Sequence, residues 1–79
     1  MNLKLKRVGR GWDIECSDVK LDFHLRPEFN DTTGDTAWFL SRFDTTIADK
    51  DKAYIDTEVF SSMDEAVREA WLICEASTK

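Results

Sequence analysis

The residues of this 79-residue chain that could do chemistry are one histidine, two cysteines and sixteen carboxylates. His24 stands two residues from Asp22 and two from Arg26, so an extended backbone puts all three on one face. A general base or metal ligand needs partners at matching spacing, and no second His or Cys shares that alternation. His24 therefore reads as an exposed strand histidine. Cys16 and Cys74 fall in apolar patterns and read as small buried hydrophobes, with neither a reactive thiolate nor a disulfide expected. The run Asp31-Thr32-Thr33-Gly34-Asp35 resembles a calcium loop but lacks alternating acidic ligands and a closing Glu, so it reads as a turn. Gly9-Arg10-Gly11 is too short for a nucleotide fingerprint, and no phosphate loop, nucleophile elbow or zinc spacing occurs. The expectation is a non-enzyme with no catalytic, cofactor-binding or metal-binding residues.

Charge is more informative than any motif. Residues 1–10 hold four bases, Lys4, Lys6, Arg7 and Arg10, and no acid; residues 11–79 hold seven bases against sixteen acids. The net charge of −5 repels nucleic acid and attracts basic surfaces. Direct nucleic-acid binding is therefore not expected, although the basic start could touch phosphate. The 42% hydrophobic fraction is too high for a disordered chain, and no apolar run nears the roughly 20 residues of a membrane helix. Met1 to Lys6 has no apolar h-region, so no signal peptide is expected and the location expected is cytoplasmic.

The elements that would position these groups are legible in the periodicity. A chain this short forms one domain, here residues 1–79, and must use every apolar face it has. Strands are expected at about 3–8, 12–16, 19–26, 37–43 and 53–60, and a helix at about 63–76. Val19, Leu21, Phe23 and Leu25 alternate with Lys20, Asp22, His24 and Arg26. A tight turn at Ser17-Asp18 would pair Cys16 with Val19, Ile14 with Leu21 and Trp12 with Phe23. It would also set Glu15 opposite Lys20 and Asp13 opposite Asp22. Pro27 is expected to end that strand, since it lacks an N–H. Residues 44–52 read as a hydrophilic connection. Ser62 followed by Glu65 forms a capping box, and Met63, Ala66, Val67, Ala70, Trp71 and Cys74 form an apolar helical stripe, with Leu72 on the polar side. The fold class is α+β: an antiparallel sheet of four or five strands with one C-terminal helix packed on one face.

One strand is ambiguous. Ala37, Phe39, Ser41 and Phe43 share one face; Trp38, Leu40 and Arg42 share the other. Two rings against one favour burying the phenylalanines. That places Trp38 and Leu40 outward, where Tyr54 and Phe60 could join them. Asp13, Glu15, Asp22, Asp56 and Glu58 are also expected outward. The candidate partner-binding set is thus Asp13, Glu15, Asp22, Trp38, Leu40, Tyr54, Asp56 and Glu58, an aromatic anchor with an acidic rim.

A small acidic chain with a short antiparallel sheet, a capped C-terminal helix and no catalytic set resembles the phage-encoded inhibitors of bacterial machinery. Among them are anti-CRISPR proteins and host-takeover proteins that block RNA polymerase. The resemblance rests on size, charge and architecture, so no functional residue is carried over from it. It implies an inhibitory binder, acting in the bacterial host cytoplasm, that covers a basic, nucleic-acid-binding surface of a protein machine. The alternative is a self-associating structural or regulatory module, such as an antitoxin-like or assembly subunit, in which a homodimer would form.

Overall fold

The computed structural model describes residues 3–16 and 19–77. Five strands form one antiparallel sheet in sequence order: β1 (Leu3–Val8), β2 (Gly11–Cys16), β3 (Leu21–Asn30), β4 (Asp35–Asp44) and β5 (Tyr54–Phe60). A four-residue helix, α1 (Lys50–Ala53), precedes β5, and α2 (Met63–Ser77) follows it. This is the α+β fold expected, with the sheet at five strands.

The turns set the registers. Val8 pairs with Gly11 across a two-residue link, and Gly9 takes φ +58° there, which costs glycine little. Leu3, Leu5 and Arg7 then share a face with Cys16, Ile14 and Trp12. Gly11 is needed for space: a Cβ there would collide with the carbonyl oxygen of Leu25. The tight turn expected at Ser17-Asp18 lies outside the described residues. The flanking register differs from the expected one by two residues, with Cys16 opposite Leu21, Ile14 opposite Phe23, Glu15 opposite Asp22 and Asp13 opposite His24. A shift of two keeps every side chain on its face but changes its neighbours.

β3 runs through Pro27 to Asn30, contrary to the expectation that proline ends it. The described β2 pairs stop at Trp12–Leu25, while β3 stays paired with β4 to Asn30–Asp35. Pro27 thus lies where β3 has become an edge on the β2 side, a position in a sheet where a missing N–H is tolerated. The hairpin turns through four residues. The Gly34 N–H donates to the Asn30 carbonyl at 2.8 Å, and Asn30 Oδ1 accepts from the Thr32 N–H at 2.9 Å.

The core lies between the sheet and α2. Ile14, Cys16, Phe23, Leu25 and Leu40 meet Ala66, Ala70 and Cys74. Ala66, Ala70 and Cys74 recur every four residues and are wholly buried, so the helix approaches on its small side chains. The Ser62 hydroxyl caps the helix by accepting from the Glu65 N–H at 3.2 Å. The Glu65 carboxylate, however, accepts from Ser61 Oγ at 3.0 Å, which differs from a reciprocal capping box. Trp71 is 42% exposed and lies off the packed stripe, where Ile73 takes part instead. Leu72 is exposed, in line with its position on the polar side.

The central strand has the opposite face assignment from the one expected. Leu40 is 3% exposed, Trp38 packs against the core, and both lie on the helix side. Phe39 and Phe43 face away from it. The reason is the neighbour, not the ring count. Leu40 is paired with Leu25 and Trp38 with Phe60, whereas Phe39 is paired with Arg26 and Phe43 with Asp22. Side chains directly opposite in a ladder share a face, so β3 decides for β4.

Candidate functional site

The face of the sheet away from α2 carries rows of residues that cross the strands. The middle row reads Lys6, Asp13, His24, Ser41 and Thr57. Beside it runs Lys4, Glu15, Asp22, Phe43 and Tyr54, and on the other flank Arg26, Phe39 and Val59. A β-bulge places Tyr54 here. Arg42 pairs with Asp56 but Phe43 with Tyr54, so Ile55 is the extra residue. Tyr54 therefore departs from the face it was expected to share with Asp56, Glu58 and Phe60. Its ring meets Phe43 edge-on at 5.8 Å, and its hydroxyl lies 2.7 Å from Thr57 Oγ1.

Of the residues singled out in the sequence, Asp13, Glu15, Asp22 and Tyr54 are brought together on this face. Trp38, Leu40, Asp56 and Glu58 are not; they lie on the helix side. Asp56 is engaged there with Arg42, whose Nη2 donates to Asp56 Oδ2 at 2.6 Å. The outward placement expected for Trp38 and Leu40 is thus corrected, and Asp56 and Glu58 do not join the other acids.

Residues 44–53 wall one side of the acidic row and create a cleft of about 500 Å³. Asp13, Glu15, Asp22 and His24 line its sheet side, and Phe43, Ile47, Ala48 and Ala53 supply apolar surface. The segment is held by its own turns. Asp44 Oδ1 accepts from the Thr46 hydroxyl at 2.6 Å and the Thr46 N–H at 2.9 Å, and these bonds lower the Asp44 carboxyl below its ordinary range. Asp49 caps α1 by accepting from the Asp51 N–H at 3.0 Å. Ala53, expected to open the last strand, instead ends α1 and is buried. Sequence reasoning read 44–52 only as a connection. The signal in that stretch is the cap Asp49 and the apolar pair Ile47-Ala48 amid polar residues.

The electrostatics of the cleft are uneven. The Asp22 carboxyl is pushed above the ordinary aspartate range, first by desolvation and then by the charges of Glu15 and Asp13. Asp13 is hydrogen-bonded to His24, whose Nδ1 lies 2.9 Å from Asp13 Oδ1. Among the described residues, Glu15 and Asp22 have no ion-pair partner within 4 Å. The shifted register is what joined His24 to Asp13; the expected one set Asp13 against Asp22 instead.

Asp13, His24 and Ser41 stand side by side on three neighbouring strands, which are the residue types of a nucleophilic triad. Ser41 is 5% exposed, however, and its hydroxyl is bonded to Thr57 Oγ1 at 3.0 Å, not to the imidazole. Among the described residues no group of three or more His, Cys, Asp or Glu is arranged to hold a metal ion. What this geometry can do is attract a cation and offer it ring and aliphatic surface. Comparison with family models, curated proteins and solved structures found no match for this chain. No described helix is long and apolar enough to cross a membrane.

Proposed function

We propose that this protein is a non-enzymatic binder that covers a basic surface of a protein partner, in the manner of a small inhibitor of a nucleic-acid-binding machine. The observation that carries the reading is the convergence of Asp13, Glu15 and Asp22 on the uncovered face, next to the rings of Phe43 and Tyr54. Acids on such a face steer a basic partner and raise its association rate. The rings add contact area that water would otherwise cover. The anchoring role assigned to Trp38 and Leu40 passes to Phe39, Phe43 and Tyr54, since Trp38 and Leu40 lie under the helix.

The test is affinity capture from a bacterial lysate at low and high salt, with the wild type beside an Asp13→Lys, Glu15→Lys, Asp22→Lys variant. The expected outcome is a salt-sensitive partner that the variant loses while keeping its circular dichroism. Added wild-type protein should then displace nucleic acid from that partner. Equal capture by the variant, or no displacement, would remove the reading.

A second reading, self-association, is favoured by β5. It is an edge strand with Tyr54, Ile55 and Val59 exposed, and such an edge is a template for pairing. Solution mass that rises with concentration, and does not rise in Val59→Lys, would support it.

A further inference from the structure

We propose that the groove between the open sheet face and residues 44–53 receives a single arginine side chain presented by a protein partner. This rests on the open face being a recognition surface, and it assigns that surface one seat with one chemistry.

The molecule itself shows how its sheet holds a guanidinium. Twice, an arginine lies over the ring of its directly opposite cross-strand neighbour: Arg7 over Trp12 at 5.3 Å and Arg26 over Phe39 at 5.2 Å. Arg26 also donates from Nε to Glu28 Oε1 at 3.3 Å, so its guanidinium sits between a ring and a carboxylate. Four residues along β4 from Phe39, and on the same face, stands Phe43. Its opposite neighbour is Asp22, and beyond that Glu15. Ring and carboxylates are thus present in this row, and the cross-strand position that elsewhere supplies the arginine supplies an acid. Neither Glu15 nor Asp22 is neutralised by an ion pair among the described residues.

The shape of the groove fits the same occupant. Phe43, Ile47, Ala48 and Ala53 give an apolar wall for an aliphatic stem, while the acids lie along the sheet side. A volume of about 500 Å³ exceeds what a lone ammonium or metal ion would fill. Arginine suits the site better than lysine, because its planar fork can meet two carboxylates and stack on a ring. Lys50 also lines the groove, and Lys4 stands opposite Glu15 at the end of the row; these are the chain's own competing cations.

The experiment is a two-dimensional amide NMR titration of the full chain with the capped peptide acetyl-Gly-Arg-Gly-amide, with its citrulline counterpart as the neutral control, at fixed ionic strength. Saturable shifts at Asp22, Phe43 and Ile47 are expected with the arginine peptide, and about five- to tenfold weaker binding with citrulline. Asp22→Asn and Glu15→Gln should each weaken binding by a similar factor, and Lys50→Gln should tighten it. Asp31→Asn, in the distant hairpin turn, should change nothing. Equal shifts with citrulline, shifts centred on the Asp31 turn, or the absence of saturation would overturn the proposal. The titration needs no partner protein, so it can fail while salt-sensitive capture succeeds, and it can succeed while capture fails. The spectrum of each variant reports its own folding, and two independent acid variants keep the test intact if one is perturbed.

Discussion

The two faces of the sheet are built from the same strands and do opposite work. On the helix side, Ile14, Phe23, Leu25 and Leu40 are closed off by Ala66, Ala70 and Cys74. On the other side, acids, His24 and the rings of Phe39, Phe43 and Tyr54 stand next to one another with no long helix above them, only the segment 44–53 with its short α1 along one side. Both faces carry aromatic rings, so ring content does not tell core from surface. What separates them is the cross-strand neighbour. Apolar rows attract a cover, because each buried methylene contributes roughly 0.8 kcal/mol. Rows that mix rings with charges cannot be covered without desolvating those charges. A small domain with a single long helix can close only one face, and the other stays without such a cover.

The sharpest way to break this comparison is a charge on the closed face. Leu40→Asp should leave an unpaired carboxylate in the core and cost more than about 4 kcal/mol, enough to unfold the domain. A cooperative melt near that of the wild type would show that Leu40 is not under the helix. A matched pair of truncations sharpens the same point. Trp38→Ala should cost about 2–4 kcal/mol in denaturant unfolding, and Phe39→Ala, on the open face, about 1 kcal/mol. The reverse order would restore the face assignment that ring counting favoured. The smallest effect belongs to Asp22→Asn, and its sign is opposite. The folded state raises the Asp22 carboxyl pKa, so charged Asp22 costs stability. That cost is complete above the folded pKa and disappears as pH falls through it toward the unfolded value. Asp22→Asn should therefore melt slightly higher than wild type at pH 7, with the gain shrinking at acidic pH. A lower melting temperature at pH 7 would mean that the carboxylate is held by a favourable contact.

Much of the fold was legible because alternation and helical spacing are local. Val19 to Arg26 announces a strand whatever it pairs with, and Met63, Ala66, Val67, Ala70 and Cys74 announce a helix. Ser62 marks the start of that helix because its hydroxyl serves its own next turn, as observed. The acids Asp13, Glu15 and Asp22 were legible as one surface for the same reason, since each alternates with a core residue of its own strand. Tyr54 was legible as exposed, though the bulge that aims it toward Phe43 was not.

The remainder was decided by loops, whose lengths set parity and register between strands. The four-residue turn from Asn30 to Asp35 pairs odd residues of β3 with even residues of β4. One residue more or less would have turned Phe39 and Phe43 toward the helix and Trp38 and Leu40 away from it. The shift of two between β2 and β3 moved His24 to Asp13 and left Asp22 beside Glu15. The end of β2 made an edge at Pro27, and the bulge at Ile55 sent Tyr54 and Asp56 to opposite faces. The sequence by itself determined which residues travel together along each strand and helix, because that depends only on the backbone repeat. Tertiary structure alone decided which of those sets meet, because two sets of similar apolar area on one strand differ only in the partners that the register brings to them.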